Sequence, residues 1–214
     1  MIFADRHEAG RLLGERLAHL RLKHPVVLAL PRGGVSVGFE VAQRLGAPLD
    51  VFVARKIGHP NRPEFGVGAL AEEGEPVLDE PVLSRLGLDV SVLKGTIECE
   101  RRELARRVRP TDGAGLRRSS PGAAWCSSTT ALLPAARPAR RCVPFGGEAR
   151  GASSSRSPVG APETTREMLD EADDVVALGT PPSFGAIGAW YEDFHQVSDD
   201  QVLHLPGEAR GAPA

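Results

Sequence analysis

The chain has 214 residues, of which 41% are hydrophobic, and its formal net charge at pH 7 is −2. This length and apolar content suffice for one buried core, so we expect a single domain over residues 1–205 and a frayed tail over 206–214. The small net charge argues against a nucleic-acid binder that works through bulk charge. The N-terminal residues mix charged and apolar side chains, and no apolar run reaches spanning length, so we expect neither a signal peptide nor a membrane segment.

The first 56 residues predict a βαβ unit. Asp5 and Glu8 form a capping box before a helix whose apolar positions are leucines: Leu12, Leu13, Leu17 and Leu20. VVLAL at 26–30 is typical of a strand buried on both faces, a helix follows over 35–45, and LDVFVARK at 49–56 is the next strand. Strand, glycine turn, helix and strand in this order predict a parallel sheet and an α/β, Rossmann-like fold.

The remaining segments are less regular. Residues 57–90 are rich in Gly, Pro and Glu and predict a long mobile loop with one strand-like piece, FGVGAL. Residues 92–108 predict an amphipathic surface helix. Near the C-terminus, PETTREMLDEA is typical of a helix, DDVVALGTP of a buried strand and FGAIGAWYEDF of an aromatic-rich loop.

The motif LPRGG follows the first predicted strand and precedes a helix. At this edge of a parallel sheet, amides freed by Gly33 and Gly34 can hold an anion while Arg32 supplies charge. A phosphate or diphosphate fits the pattern, and a tight turn that needs glycine for its backbone angles fits it equally well. Arg55 and Lys56, at the end of the second predicted strand, add two cations to the same edge, although such a pair alone is more often solvated.

The cysteines and histidines predict no metal centre. Cys99, Cys126 and Cys142 form no CxxC pair, and the six histidines have no ligand spacing with them. We therefore expect a reduced, cytoplasmic protein without a structural metal.

Residues 26–74, VVLALPRGG to ALAEEG, resemble the N-terminal half of the type I phosphoribosyltransferases, particularly a bacterial branch of predicted phosphoribosyltransferases. The resemblance resumes over 159–200, where GTPPSFGAIGAWYEDF is similar to the C-terminal hood, residues 180–200. It implies transfer of a 5-phosphoribosyl group between phosphoribosyl pyrophosphate and a nitrogenous acceptor, with Mg²⁺ as cofactor, and it leaves a homodimer open. It also implies residue roles: pyrophosphate binding by Arg32, Gly33, Gly34, Lys56 and the neighbouring Arg55, and a flexible flap over 57–90 that carries Glu64 and Phe65.

The hood contains aromatic side chains that suit a flat nitrogenous ring. Phe184, Trp190 and Tyr191 can stack on the acceptor, and simple packing explains them at least as well. Asp193 and His195 could act as acid and base, but a polar pair in a loop is usually solvated.

The composition changes sharply between residues 111 and 157. This tract has seven arginines, Asp112 and Glu148 as its acids, and no lysine or isoleucine, which is typical of a disordered linker. The family's best signature is missing here: a strand that runs into two acidic residues and a Gly/Thr-rich loop, which binds ribose phosphate and metal.

A shifted reading frame supplies the missing signature. Codons built from the last base of one codon and the first two of the next turn Trp125-Cys126 into GTG, valine, and allow AWCSSTTALLPAAR to be read as VVLVDDGVATGGT. Over 137–158 the same shift permits ARAALRAVRRRGARRVVLAVP, a helix and a buried strand. We infer two compensating frameshifts, one between Thr111 and Ala123 and one near Ser157 or Pro158. We therefore expect residues 111–157 to be disordered or non-native and the sheet to be poorly stable.

Three functions stay open at this point. The first is a phosphoribosyltransferase, impaired in the chain as written because half of the donor site is missing. The second is a non-catalytic remnant or regulator that binds an anionic nucleotide weakly. The third, a nucleoside-phosphate hydrolase, lacks a nucleophile or metal cluster in the sequence.

Overall fold

A computed structural model describes residues 1–71, 75–108, 124–128, 131–132, 153–170, 172–198, 201–202 and 204–205. The chain divides into two compact units. The first unit contains Met1–Val51 and the described residues from 124 onward, and the second begins at Phe52 and contains the described residues up to 108. In the part of the chain that is described, no helix combines the length and apolar character needed to cross a membrane.

The elements of the first unit and then of the second follow one another along the chain. They are α1 (Arg6–Ala18), β1 (Pro25–Ala29), α2 (Gly33–Leu45), β2 (Leu49–Val51), β3 (Ala54–His59), β4 (Arg62–Ala71), β5 (Val77–Leu78), α3 (Glu80–Leu86), a 3-10 helix (Val90–Leu93) and α4 (Lys94–Val108). The chain then returns to the first unit with β6 (Ala124–Ser128), β7 (Ala131–Leu132), β8 (Ser153–Gly160), α5 (Pro162–Met168), β9 (Asp174–Gly179) and a second 3-10 helix (Ile187–Trp190).

A parallel sheet forms the centre of the first unit. Strand β1 lies between β2 and β6, β8 lies between β6 and β9, and β7 pairs with the end of β8. The predicted α/β class with a parallel sheet is confirmed. Because α2 carries the chain from β1 to β2 on one side while β6 lies on the other, the carboxyl end of β1 is the point where the strand order reverses, which is where open α/β sheets bind ligands.

Helices α1 and α2 pack closely against each other at two glycines. A Cβ atom on Gly10 would lie 2.7 Å from the Val37 carbonyl oxygen, and one on Gly14 would lie 2.8 Å from Cβ of Arg44. The predicted helix is present and Asp5 caps it, accepting a hydrogen bond from the amide of Glu8 at 2.7 Å. Of the four leucines expected on one face, Leu13 and Leu17 are buried, whereas Leu12 and Leu20 are exposed because the glycines complete the packed face.

The predicted strand at 49–56 is two strands in different sheets. β2 ends at Val51, and Arg55 and Lys56 lie on β3, which pairs with β4 in an antiparallel sheet of the second unit. The prediction that these two cations end a strand of the parallel sheet is therefore wrong. A turn at Pro60 and Asn61 brings β4 back beside β3, so the residues adjacent in sequence supply the pairing partner.

Regular elements also replace much of the loop that composition predicts over residues 57–90. β4 runs for ten residues, β5 pairs with it in antiparallel fashion, and α3 follows from an Asp79 cap that accepts a hydrogen bond from the amide of Val82. The first four residues of β4 are exposed and its last five are buried. The loop prediction overlooked this alternation of exposed tip and buried base.

Part of the tract at 111–157 lies in the parallel sheet. Strand β6 pairs with β1 and β8, and the first residues of β8, beginning at Ser153, pair with β6 and β9. The prediction of disorder is wrong for these residues, because backbone hydrogen bonds can form between strands whatever side chains they carry. The rest of the tract lies outside the described residues, and the frameshift stays a prediction.

Candidate functional site

The LPRGG motif lies where its sequence predicts, at the carboxyl end of β1. Arg32 is exposed, Gly34 is buried, and α2 begins at Gly33 after a cis peptide bond between Pro31 and Arg32. The amide of Val35 donates to the Arg32 carbonyl oxygen at 3.1 Å, and no described side chain caps the first amides of α2. A helix that opens with uncapped amides beside an exposed arginine, at the point where the strand order reverses, can bind an anion.

Arg55 and Lys56 have different environments in the second unit. Arg55 Nε donates to Glu100 Oε2 at 2.8 Å, and this pair, which is about three-quarters buried, joins β3 to α4. Lys56 Nζ donates to the carbonyl oxygen of Glu64 at 2.9 Å and lies 3.8 Å from the Glu64 carboxylate, and its side chain is 45% exposed. Arg55 therefore stabilises the second unit, whereas Lys56 is the cation with more access to solvent.

An open pocket of about 210 Å³ adjoins these two residues within the second unit. It lies between the β3–β4 hairpin and α4, and its lining combines both cations with a histidine and a carboxylate: Arg55, Lys56, Gly58, His59, Pro60, Pro63, Thr96 and Glu100. The mixture of charged and hydrogen-bonding groups suits a polar ligand rather than an apolar one.

Glu64 and Phe65, the residues expected in a flap, lie on the exposed half of β4. The Glu64 side chain is fully exposed and Phe65 is 48% exposed. The hairpin is closely packed at Gly58, where a Cβ atom would lie 2.5 Å from the Pro63 carbonyl oxygen. The two residues are thus held at the tip of a defined hairpin.

Tyr191 packs inside the first unit instead of facing a ligand. It is 5% exposed, it pairs with Phe3 in an isolated parallel bridge, and its ring centroid lies 5.5 Å from that of Phe3 and 5.2 Å from that of Phe194. Burial raises the pKa of the Tyr191 phenol far above its ordinary value. For this residue the geometry supports the packing explanation.

Trp190 lines a cavity of about 220 Å³ at the carboxyl ends of β8 and β9. Its indole Nε1 donates to the carbonyl oxygen of Phe184 at 2.8 Å, which fixes the ring, and Phe184 packs on it at 6.1 Å between centroids. None of the described residues that line the cavity has a charged side chain: Met1, Phe3, Pro158, Val159, Gly179, Thr180, Pro181 and Trp190. Such a cavity suits an uncharged flat ring.

Asp193 and His195 contact each other on the surface, outside the lining of this cavity. The amide of His195 donates to Asp193 Oδ1 at 3.0 Å, its ring nitrogen Nδ1 contacts the same oxygen, and the His195 side chain is 93% exposed. These hydrogen bonds lower the pKa of Asp193. The solvated-pair explanation fits this geometry.

The residues that the structure describes do not form a Mg²⁺ site. Within them, no group of three or more His, Cys, Asp or Glu side chains is placed to hold a metal ion. Carboxylate oxygens are the protein ligands that Mg²⁺ prefers, and the LPRGG loop has none. The donor set present does not fit the ion that the resemblance implies.

Sequence reasoning missed two parts of this unit. Phe3, with 1% exposure, forms a wall of the cavity beside Trp190, and Arg6 lies over the ring of Phe194. An apolar residue just before the Asp5 cap was a signal for buried packing of Phe3. For Arg6 we find no sequence signal, because its partner lies almost the whole chain away.

Comparison with known proteins yields relatives but no matching family model. The chain is 40% identical over 213 residues to proteins from two strains of Mycobacterium tuberculosis, each named "Putative phosphoribosyl transferase". The match covers 94% of this chain and 46% of each relative, so the chain spans about half the length of these curated relatives. A crystal structure of TT1426 from Thermus thermophilus is 39% identical with a TM-score of 0.78, over 97% of this chain and 99% of that chain.

Proposed function

Because the chain belongs to the same phosphoribosyltransferase-like family as these relatives, we propose that it is built to transfer a 5-phosphoribosyl group between phosphoribosyl pyrophosphate and a nitrogenous acceptor. The single observation that carries the proposal is the position of the LPRGG loop. It connects the carboxyl end of β1 to the uncapped start of α2 at the reversal of strand order.

The chain's own groups would act mainly by holding the leaving pyrophosphate. Arg32 supplies a positive charge, and the first amides of α2, at Gly33 and Gly34, point along a helix dipole that favours anions. Lys56 is the second cation, because Arg55 is already paired with Glu100. Fixed donors aimed at developing charge lower the barrier without covalent participation of the protein. No step is routed through Mg²⁺, since the described residues do not fit it.

The cavity beside Trp190 is the acceptor site in this proposal. It lies at the carboxyl edge of the same sheet, and the indole ring is fixed by its hydrogen bond to Phe184. Because its lining carries no charged side chain, the cavity favours an uncharged ring over a carboxylated one, whose charge would be desolvated without a partner.

Strand β8 supports the proposed frameshift. This strand lies between β6 and β9, where a parallel strand is normally apolar on both faces, yet Ser155, Arg156 and Ser157 are at most 1% exposed. Nε and Nη1 of Arg156 have no hydrogen-bond partner among the described residues. The shifted reading VVLAVP ends opposite Pro158 and so places Leu, Ala and Val at 155–157, three apolar residues for three buried positions.

The same reading would complete the donor site. It places VVLV on β6 and two aspartates directly after that strand, next to the carboxyl end of β1. Acidic residues followed by a Gly/Thr-rich loop are what the family resemblance requires for ribose phosphate and metal. We therefore propose that the functional protein is encoded by the frame that restores this segment.

The chain as written would then be a non-catalytic remnant. The buried, unsatisfied Arg156 favours this second candidate, because a natural linker or strand has no reason to bury such a group. It would bind diphosphate through the LPRGG loop weakly and transfer no phosphoribosyl group.

Two measurements test these proposals. Sequencing of the gene across codons 110–160 must be able to spell the Asp-Asp-Gly segment in a shifted register. The chain as written and the frame-restored chain are then titrated with diphosphate and with phosphoribosyl pyrophosphate in a calorimeter. We expect clearly tighter binding and acceptor-dependent turnover from the restored chain alone. Equal, tight binding of phosphoribosyl pyrophosphate by both chains would contradict the frameshift proposal, and no binding by either would contradict the transferase proposal.

A further inference from the structure

The N-terminal segment, residues 1–6, pairs with the hood segment, residues 184–195. The two backbones lie side by side at the Phe3–Tyr191 bridge. Three backbone hydrogen bonds connect them: Phe3 N to Trp190 O at 2.9 Å, Glu192 N to Phe3 O at 2.8 Å and Asp193 N to Ala4 O at 2.8 Å. The hood segment is therefore attached to residues that precede the whole sheet in sequence.

Arg6 attaches the hood segment a second time. Its guanidinium carbon lies 3.9 Å from the centroid of the Phe194 ring, and its Nη1 donates to the carbonyl oxygen of His195 at 2.6 Å. Partial burial lowers the pKa of Arg6, and the nearby Tyr191 and Asp193 oppose that effect. A guanidinium stacked on an aromatic face and partly desolvated gains more than an exposed one.

The attached segments form one wall of the cavity beside Trp190. Met1 and Phe3 line the cavity from the N-terminal segment and Trp190 lines it from the hood segment, opposite Val159 and Gly179 of the sheet. Movement of the hood segment away from the N-terminal segment would separate Phe3 from Trp190 and open the cavity. The contact at Arg6 thus lies behind the wall and does not touch the cavity itself.

We propose that Arg6 is a positioning residue, which holds Phe194 and His195 so that the hood segment stays seated on the N-terminal segment and the cavity keeps its affinity for a flat ring. Only the role of that ring as acceptor rests on the proposed function. The contacts of Arg6 are made by the described residues themselves.

Hydrogen exchange of the intact chain tests the attachment. We expect the amides of Glu192 and Asp193 to exchange at least about fivefold faster in Arg6→Ala and Phe194→Leu than in the unaltered chain. The control Arg11→Ala removes an exposed arginine from the same helix and should leave these rates unchanged. Phe194→Trp keeps an aromatic face and should also leave them unchanged. Equal exchange in Arg6→Ala and Arg11→Ala overturns the inference.

Ligand titration distinguishes positioning from a general loss of structure. With adenine as the flat-ring probe and inorganic diphosphate as the second probe, Arg6→Ala should weaken adenine binding at least about fivefold and leave diphosphate binding unchanged. Unchanged adenine binding, or an equal loss for both probes, overturns the positioning role. If the unaltered chain binds no adenine while the exchange pattern appears, the attachment stands and the proposed acceptor site fails.

Discussion

Nη1 of Arg156 lies 3.1 Å from Oδ2 of Asp174 across neighbouring strands, but the arginine side chain is 1% exposed while the aspartate side chain is 51% exposed. The pair therefore places one charge in the interior and leaves its partner largely in water. Such a pair returns little Coulomb energy for the desolvation of the buried ion.

Arg156→Ala should stabilise the chain. Removing a poorly compensated buried charge can raise stability by about 1–4 kcal/mol, and the triple change to Leu, Ala and Val at 155–157 should add apolar burial to that gain. Urea denaturation measures the difference. Arg166→Ala, at an exposed position of α5, is the matched control and should change stability by less than about 0.5 kcal/mol. A destabilised Arg156→Ala chain would show that the arginine belongs in this strand.

Gly10→Ala should destabilise the chain, because the new Cβ atom would approach the Val37 carbonyl oxygen and Cβ of Glu40 at less than 3 Å. Overpacking of this kind costs about 1–3 kcal/mol. The control is Gly95→Ala in α4, where no atom lies within 4 Å of the added Cβ and alanine should gain about 0.5–1 kcal/mol through helix propensity. Thermal unfolding should move the two variants in opposite directions, and a shift in the same direction would refute the close packing of α1 on α2.

Arg32→Ala and Lys56→Ala should each weaken diphosphate binding by the frame-restored chain. Loss of a charge-assisted hydrogen bond of about 1.5–3 kcal/mol corresponds to roughly 10- to 100-fold in affinity. Lys23→Ala, an exposed lysine that precedes β1, is the control and should bind normally. Calorimetry decides the matter, and an unchanged affinity in Arg32→Ala would remove the basis of the proposed site.

Arg55→Ala should behave differently from Lys56→Ala. The Arg55–Glu100 pair joins β3 to α4, so its loss should lower stability by about 1–3 kcal/mol and leave diphosphate affinity nearly unchanged. Lys56→Ala should lower affinity with little change in stability, since its partner Glu64 is fully exposed. The opposite pattern in denaturation and binding would mean that the roles of the two cations are exchanged.

Tyr191 gives the chain an alkaline limit. Burial raises the pKa of its phenol, so the folded chain keeps the proton at a pH where the unfolded chain, with a pKa of about 10, has lost it. Stability from this residue is complete below about pH 10 and falls by up to about 1.4 kcal/mol per pH unit above it. Tyr191 is the one tyrosine in the sequence, so ultraviolet absorbance follows its ionisation directly. Tyr191→Phe should remove this share of the pH dependence, and phenol ionisation at about pH 10 in the folded chain would contradict the burial.

Local patterns in the sequence predicted the first βαβ unit and its loop. The apolar run before LPRGG, the helical spacing after it and Gly46, which takes a positive φ of 58° at the end of α2, all act within a few residues. Such signals depend on side-chain periodicity and on the backbone freedom of glycine, which a sequence displays directly. For this reason the position of Arg32, Gly33 and Gly34 followed from the sequence.

Pairing between distant segments was decided by the tertiary structure alone. The sequence joined β2 to β3 because both are apolar, whereas a hairpin partner drew β3 into another sheet. It read the SSSRS segment of β8 as outside the fold, whereas backbone hydrogen bonds to two neighbours place it in the sheet. The contact of Arg6 with Phe194 joins residues almost 190 positions apart, and no local pattern encodes it. Composition and spacing determine which segments can be strands, helices and anion loops, but which strand lies beside which depends on contacts that form only when the whole chain has folded.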